Sequence, residues 1–344
     1  MGSKSITMAD IAKLAGVSAS TVSRALNHNE RIPEETRNRI LKIAQDNNYQ
    51  LDYRARNFRL QRTQTIAAVV PFSKHSHRRV SDPFYLEMLG VMIDELADRD
   101  YGLLVSRVRG SSKLWYEQNM SPKRYDGLIV LAREIDDPGI QALQDMDVNF
   151  VVWGAPLPEQ EYVSVGYSGT DGVRQAVRHL TGLGRKRIGF IGGNEDYTDT
   201  WLRREGYRLG LEDAGLAYQE AFVVYSDYTA ESGCEAMERL LRQTPGMDAV
   251  VICSDLMAVS AMNVLQNRGL AVPDDIALVG YDDIPLASYC SPALTTLRQD
   301  ISLAGKLLVE KLFSIMLGSP TESTLLTEEL ILRDSTDRKP SSDR

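Results

Sequence analysis

The chain has 344 residues, 39 Lys/Arg against 47 Asp/Glu, and a net charge of -8. With 43% hydrophobic and 25% charged residues it can fill two or three cores, which excludes a globally disordered chain. No apolar run reaches the roughly 18 residues of a membrane span, and Met1 to Asp10 lacks an apolar signal core, so neither a membrane nor a secreted protein is expected.

Cysteine usage agrees with a cytoplasmic chain. Cys234, Cys253 and Cys290 show no CxxC spacing and cannot all pair, so they read as reduced thiols, Cys253 and Cys290 as buried small hydrophobes. The charge is uneven. Residues 1–62 hold eleven Lys/Arg against six Asp/Glu, net +5, whereas the remainder holds 28 against 41, net -13. A basic head on an acidic body points to phosphate at one end only.

At the head, Thr7 precedes the apolar-periodic positions Ile11, Ala12, Leu14 and Ala15. Its hydroxyl suits the open N–H groups of a helix start, and Asp10 three residues on completes a capping box. Gly16 stops the helix, because a positive φ is free of steric cost only for glycine. Val17 plugs the gap and Ser18 caps a second helix predicted over 19–27, with Val22 and Leu26 facing inward. A third is predicted over 33–47, with Ile40, Ile43 and Ala44 inward. Two short helices joined at a glycine turn and closed by a third form a helix-turn-helix unit, which lays its second helix in the major groove. Small residues at that helix's start, Ala19 and Ser20, allow close approach. Arg24 suits guanine edges or phosphate, and Thr21, Ser23 and Asn27 suit phosphate oxygens.

The string TMADIAKLAGVSASTVSRALN, Thr7 to Asn27, resembles the N-terminus of the lactose-repressor/galactose-repressor family of bacterial regulators. The match runs on through IPEETRNRI, the NNY ending at Tyr49, and a hinge pattern in which Ala55, Arg56, Thr63 and Ile66 fall at family positions. The resemblance implies a DNA-contact set of Thr7, Ser18, Ala19, Ser20, Thr21, Ser23, Arg24, Asn27, Tyr49, Ala55, Arg56 and Phe58. It also implies a hinge helix near 52–59 that folds only when two copies meet on DNA, since so short a helix is marginal alone. Phe58 stands where the family carries a leucine wedge; phenylalanine is also a known intercalating type. Packing of Phe58 on the next domain is the structural alternative.

From Ile66 onward, apolar strand-like runs begin at Ile66, Gly102, Gly127, Phe150, Arg187, Ala249 and Ile276. Between them lie amphipathic segments, among them 84–99, 171–183, 202–214, 229–242 and 255–268. Continuous apolar strands with helical crossovers predict parallel sheets covered on both faces. No GxGxxG turn opens a helix after a strand, and no P-loop, GxSxG or HExxH occurs, which counts against nucleotide-dependent and hydrolytic enzymes. The family resemblance extends to about Arg333 and implies the two lobes of periplasmic sugar-binding proteins, crossed three times by the chain. The run SPALTTLRQD at Ser291 would return it to the first lobe. The expected class is thus α/β, an N-terminal helix-turn-helix head plus a two-lobed periplasmic-binding-protein-like core with parallel sheets. The expected domains are a head over 1–50, a hinge and linker over 51–64, the core over 65–334 and a disordered tail over 335–344.

Ligands of open α/β sheets bind at the carboxyl ends of strands. Carried over singly, the resemblance implies effector contacts at Asp82, Phe84, Asp171, Arg203, Tyr228, Ser254, Asp282 and Gln299. Six of them have a structural alternative. Arg203 and Asp282 suit an ion pair, Asp171 and Ser254 suit helix caps, and Phe84 and Tyr228 suit a core. His75 and His77 lie on a polar loop longer than usual for the family and lack a third metal ligand, so neither metal nor cofactor is expected. The reading is a cytoplasmic bacterial homodimer, a repressor on a near-palindromic operator whose DNA affinity is set by a small molecule, a sugar in the first instance. An activator or dual regulator, and a purine- or nucleoside-responsive corepressor system, fit the same scaffold.

Overall fold

In the computed structural model the first helix, α1 (Met8–Ala15), starts at the expected box. Asp10 N–H donates to Thr7 Oγ1 at 3.3 Å and Thr7 N–H to Asp10 Oδ2 at 2.9 Å. Gly16 ends it at φ 66°, and the Val17 N–H reaches back to Ala12 O at 3.0 Å. Helices α2 (Ala19–Leu26) and α3 (Glu34–Asp46) follow. Ile11, Val22, Ala25 and Ile40 are fully buried between the three helices, and Val17 and Tyr49 pack around them.

The structure describes residues 6–26, 31–47, 49, 63–72, 76–109, 113–119, 124–146 and 148–336. The expected hinge helix, with Ala55, Arg56 and Phe58, lies outside these residues, as do Asn27, His75 and the tail from 337. The chain divides into two units, Met1–Thr63 and Gln64–Arg344.

Among the described residues the second unit holds two six-stranded sheets. The first comprises β1 (Thr65–Phe72), β2 (Gly102–Arg109), β3 (Gly127–Val130), β4 (Phe150–Trp153), β5 (Ser164–Tyr167) and β11 (Thr324–Leu326), in the order β11-β5-β4-β3-β1-β2. All its pairs are parallel. The second comprises β6 (Ile188–Gly192), β7 (Val223–Tyr225), β8 (Ala249–Ile252), β9 (Ala277–Asp282), β10 (Thr295–Arg298) and β12 (Glu329–Ile331), ordered β12-β10-β9-β8-β6-β7. Only its β10–β12 pair is antiparallel.

Strand alternation explains the double cover. Ile66, Ala68, Val70 and Phe72 pack on the helices Pro83–Ala97 and Ile301–Met316, whereas Ala67 and Val69 face Tyr116, Ile140 and Leu143 on the other side. Every β1 residue after Thr65 is buried, which is why the strand reads as one apolar run.

The chain crosses between lobes after β5, after β10 and between β11 and β12. SPALTTLRQD therefore differs from expectation: Thr295–Arg298 belongs to the second sheet, and the return to the first lobe comes immediately afterwards, with the helix Ile301–Met316. The crossings are stitched together. The Asp300 N–H donates to Tyr167 OH at 2.5 Å, and the Gly169 N–H donates to Glu328 Oε1 at 2.7 Å. Residues 335 and 336, placed by expectation in the tail, are held in the second lobe. Ser335 and Thr336 are buried, because Ser335 Oγ donates to Leu278 O at 2.7 Å and accepts the Thr295 N–H at 2.8 Å.

Candidate functional site

The head offers one surface of small polar side chains. Ser18, Ala19, Ser20 and Arg24 are exposed, and Thr21 and Ser23 are half-buried. Ser18 Oγ accepts the Thr21 N–H at 3.2 Å and lies 2.8 Å from Ser20 Oγ, so one hydroxyl both caps α2 and orders its outer face. Thr7 is exposed, but its hydroxyl is bound to Asp10 at 2.6 Å. Tyr49 is half-buried against the head's core, and its N–H donates to Ala44 O at 2.8 Å.

In the body, a cavity of about 30 Å³ lies between the lobes at the carboxyl ends of their strands. Phe84, Tyr85, Leu131 and Trp153 wall it from the first lobe, and Tyr197 and Tyr228 from the second. Its polar lining is Arg78, Arg133, Asp199, Arg203, Asp282 and Gln299. An outer groove of about 1030 Å³ adjoins it, and Arg78 and Tyr228 line both. Small-molecule pockets usually run to roughly 300–1,000 Å³. The inner space alone holds only a water or two, so a larger ligand requires the lobes to part or Arg78 to withdraw.

The geometry at the centre is specific. Asp282 ends β9 at φ 116° and Asp283 follows at φ 61°, a left-handed turn that sends the two carboxylates apart. Asp283 binds Arg298 at 2.7 Å and Arg333 at 2.6 Å. Asp282 faces the cavity, where its Oδ1 accepts from Gln299 Nε2 at 2.7 Å. Burial pushes the Asp282 carboxyl up to about 7, and the positive charge of Arg203 offsets only part of this. Arg203, on the helix Thr198–Asp213, donates to Cys253 O at 3.0 Å and stacks on the Tyr281 ring at 3.7 Å. Tyr281 OH in turn donates to Glu328 Oε1 at 2.6 Å. No Arg203–Asp282 ion pair forms among the described residues.

Other expected positions fall as follows. Phe84 lies on the cavity wall, its ring 5.9 Å from that of Trp153. Tyr228 stands at φ 67°, and its OH lies 3.0 Å from Thr200 Oγ1. Gly193 makes room for it, since a Cβ there would lie 1.9 Å from the ring. Asp82 lines the outer groove, accepting the Phe84 N–H at 3.0 Å and Arg78 Nε at 2.8 Å. Asp171 is exposed, bound to Ser168 Oγ at 2.9 Å, and does not line the cavity. Ser254 is buried at the start of the helix Asp255–Asn267, also outside the cavity lining.

Sequence reasoning passed over Arg78, Tyr85, Arg133, Trp153, Tyr197 and Asp199. The strand-end rule reaches two of them: Trp153 closes β4, and Arg133 stands three residues beyond β3. Among the described residues no cluster suits a metal ion, and no helix is long and apolar enough to cross a membrane.

Comparison with known proteins agrees with both units. Residues 7–52 match the model of bacterial regulatory proteins of the lacI family, and residues 177–336 match a periplasmic binding protein-like domain. The HTH-type transcriptional regulator CelR of Thermobifida fusca is 34% identical over 337 residues, 96% of this chain and 98% of that protein. A solved CelR–cellobiose complex covers 96% of this chain and 99% of its own at 32% identity and TM-score 0.71. A Lac repressor dimer bound to operator and the anti-inducer ONPF covers 97% and 99% at 26% identity and TM-score 0.86. On its capped and glycine-turned head, its two parallel-sheet lobes and these relatives, the chain belongs to the lacI family of bacterial regulatory proteins.

Proposed function

We propose that this protein is a transcriptional repressor that binds operator DNA as a cytoplasmic homodimer and responds to a sugar in the cavity between its lobes. The observation that carries the reading is that cavity. Aromatic rings face a cluster of charged and amide groups there, which is what a sugar's C–H face and hydroxyls require. The outer face of α2 and its cap, with exposed Ser18, Ala19, Ser20 and Arg24 and half-buried Thr21, supplies the groove-reading face, and Ser23 and Asn27 lie beside it in sequence. The related CelR is known with cellobiose and the related Lac repressor as a dimer on operator. Within the cavity, Arg203, Asp282 and Gln299 bind hydroxyls, and Phe84 and Tyr228 flank the ring. Asp82 orders Arg78 at the entrance. The ligand acts by binding one lobe arrangement better than another, and no chemical step is required of it.

The test is fluorescence anisotropy on a palindromic operator chosen by selection, repeated with mono- and disaccharides, sugar phosphates and purines. Release by a sugar is expected. Tightening by a purine would favour the corepressor reading, and specific binding indifferent to every compound would overturn the effector site.

A further inference from the structure

Three arginines border the inner cavity, and two of them, Arg133 and Arg203, form no ion pair among the described residues. Arg78 is paired with Asp82 at 2.8 Å. Arg133, 4% exposed, meets only neutral acceptors: Gln160 Oε1 at 3.1 Å, Tyr162 OH at 2.7 Å and the carbonyl of Ala155. Arg203, 8% exposed, meets Cys253 O and the face of Tyr281. Neither guanidinium lies within 4.0 Å of a carboxylate among the described residues, and the Nε of each is buried without an acceptor.

Nearby carboxylates act on the two only from beyond ion-pair distance, Asp137 on Arg133 and Asp199 and Asp282 on Arg203. Asp282 also accepts from Gln299. Glu328 is outside the lining, its Oε1 taken by Tyr281 and by the Gly169 N–H. Asp199 is the only other acid in the lining, against Arg133 and Arg203 together. Buried cations are expensive unless paired and fully hydrogen-bonded. Guanidinium groups match planar carboxylates and phosphates better than they match a lone hydroxyl.

We propose that the effector is an anionic sugar, whose carboxylate or phosphate docks between Arg133 of the first lobe and Arg203 of the second. This rests on the reading of the cavity as the effector site. The anion supplies the direct ionic partner that neither arginine has among the described residues, while Phe84 and Trp153 face the ring. Because the two arginines belong to different lobes, the anion also ties the lobes together. A neutral sugar of the same ring leaves both cations unbalanced.

The experiment uses the full chain, calorimetry, and matched probes: glucuronate with glucose, galacturonate with galactose, and glucose 6-phosphate. At least one acid is expected to bind about tenfold or more tighter than its neutral parent. Comparison of the uronates with the phosphate identifies which anion is used. Arg133→Met and Arg203→Met are each expected to erase the ratio. Arg133→Lys, which keeps the charge, retains part of it, and an unchanged melting temperature shows that the variants fold. A neutral parent binding as tightly as its acid overturns the proposal but leaves the sugar cavity standing. A preference for acid that survives both methionine variants also overturns it. Binding of none of these probes overturns it as well, and if the wider sugar and purine panel is then silent in the anisotropy assay, the cavity reading falls too.

Discussion

The guanidinium carbon of Arg78 lies 4.4 Å from the ring centroid of Tyr228, so a first-lobe side chain is stacked on a second-lobe ring. Tyr85 lies at the same distance from it, and the neighbouring His77 N–H donates to Asp227 Oδ2 at 2.9 Å. This loop clasps the second lobe where the outer groove meets the inner cavity. Arg78→Ala is expected to loosen that contact and to leave Asp82 buried without its cation. A cation–π contact contributes about 0.5–2 kcal/mol, so the melting temperature should fall by several degrees and effector association should quicken. Stopped-flow fluorescence measures the second effect. An unchanged association rate would show that the loop does not control entry.

Asp282 makes stability depend on pH in a stated direction. Its folded carboxyl titrates at about 7, against an ordinary value of 3.8. Between these values the folded chain holds a proton that the unfolded chain releases, so stability is greatest at the acid end and falls as pH rises toward 7. At about 1.4 kcal/mol per unit, the group's share is about 4 kcal/mol at most. Buried Asp255, also raised by burial, acts in the same direction. Asp282→Asn should flatten the slope between pH 4 and 7 in urea titrations without abolishing it.

Gly193→Ala should displace Tyr228. A Cβ at 1.9 Å from the ring cannot coexist with it. The ring must swing and lose its contacts with Arg78 and Thr200. Effector affinity is expected to drop by about tenfold or more while operator affinity without effector holds. Calorimetry and anisotropy on the same preparation separate the two.

Thr7→Ala removes the capping box at the start of α1. Loss of such a cap costs about 1 kcal/mol. The head is a separate unit with a small core, so its hydrogen-exchange protection should fall while that of the body does not. Equal loss in both units would contradict this.

Arg24→Ala tests the groove-reading face. Arg24 is exposed on α2 and makes no ion pair among the described residues, so its removal should leave folding intact. Specific operator affinity should fall by about 1–3 kcal/mol, the value of a good base contact. A uniform loss across all DNA sequences, with a shallower salt slope, would instead assign it to phosphate.

The head was legible because its signals are local. Thr7, Asp10 and Gly16 act within a few residues of themselves, and the structure places the box and the left-handed stop where the pattern puts them. Strands that are near-continuous apolar runs, such as β1, β8 and β9, were legible too. Three others were not. Ser164–Tyr167, Val223–Tyr225 and Thr324–Leu326 have three or four residues each and are strands only because a neighbour pairs with them.

The site was legible in part for a similar reason. Arg203, Tyr228, Asp282 and Gln299 border one cavity, whereas Asp171 spends its carboxylate on Ser168 at the surface. Arg78 and Arg133 left no mark, since arginine in sequence reads as surface. Their burial is set largely by Tyr228 against Arg78 and Tyr162 against Arg133, which come from distant parts of the chain.

The three crossings also govern how the protein can be made. The first lobe lacks the helix Ile301–Met316 and the strand Thr324–Leu326 until they emerge from the ribosome, and the second lacks Glu329–Ile331. Two lobes that look separable therefore cannot be completed one after the other during synthesis, as domains generally are. Both await the C-terminal stretch, and a stop codon between residues 300 and 324 would cripple the pair together rather than sparing the one made first.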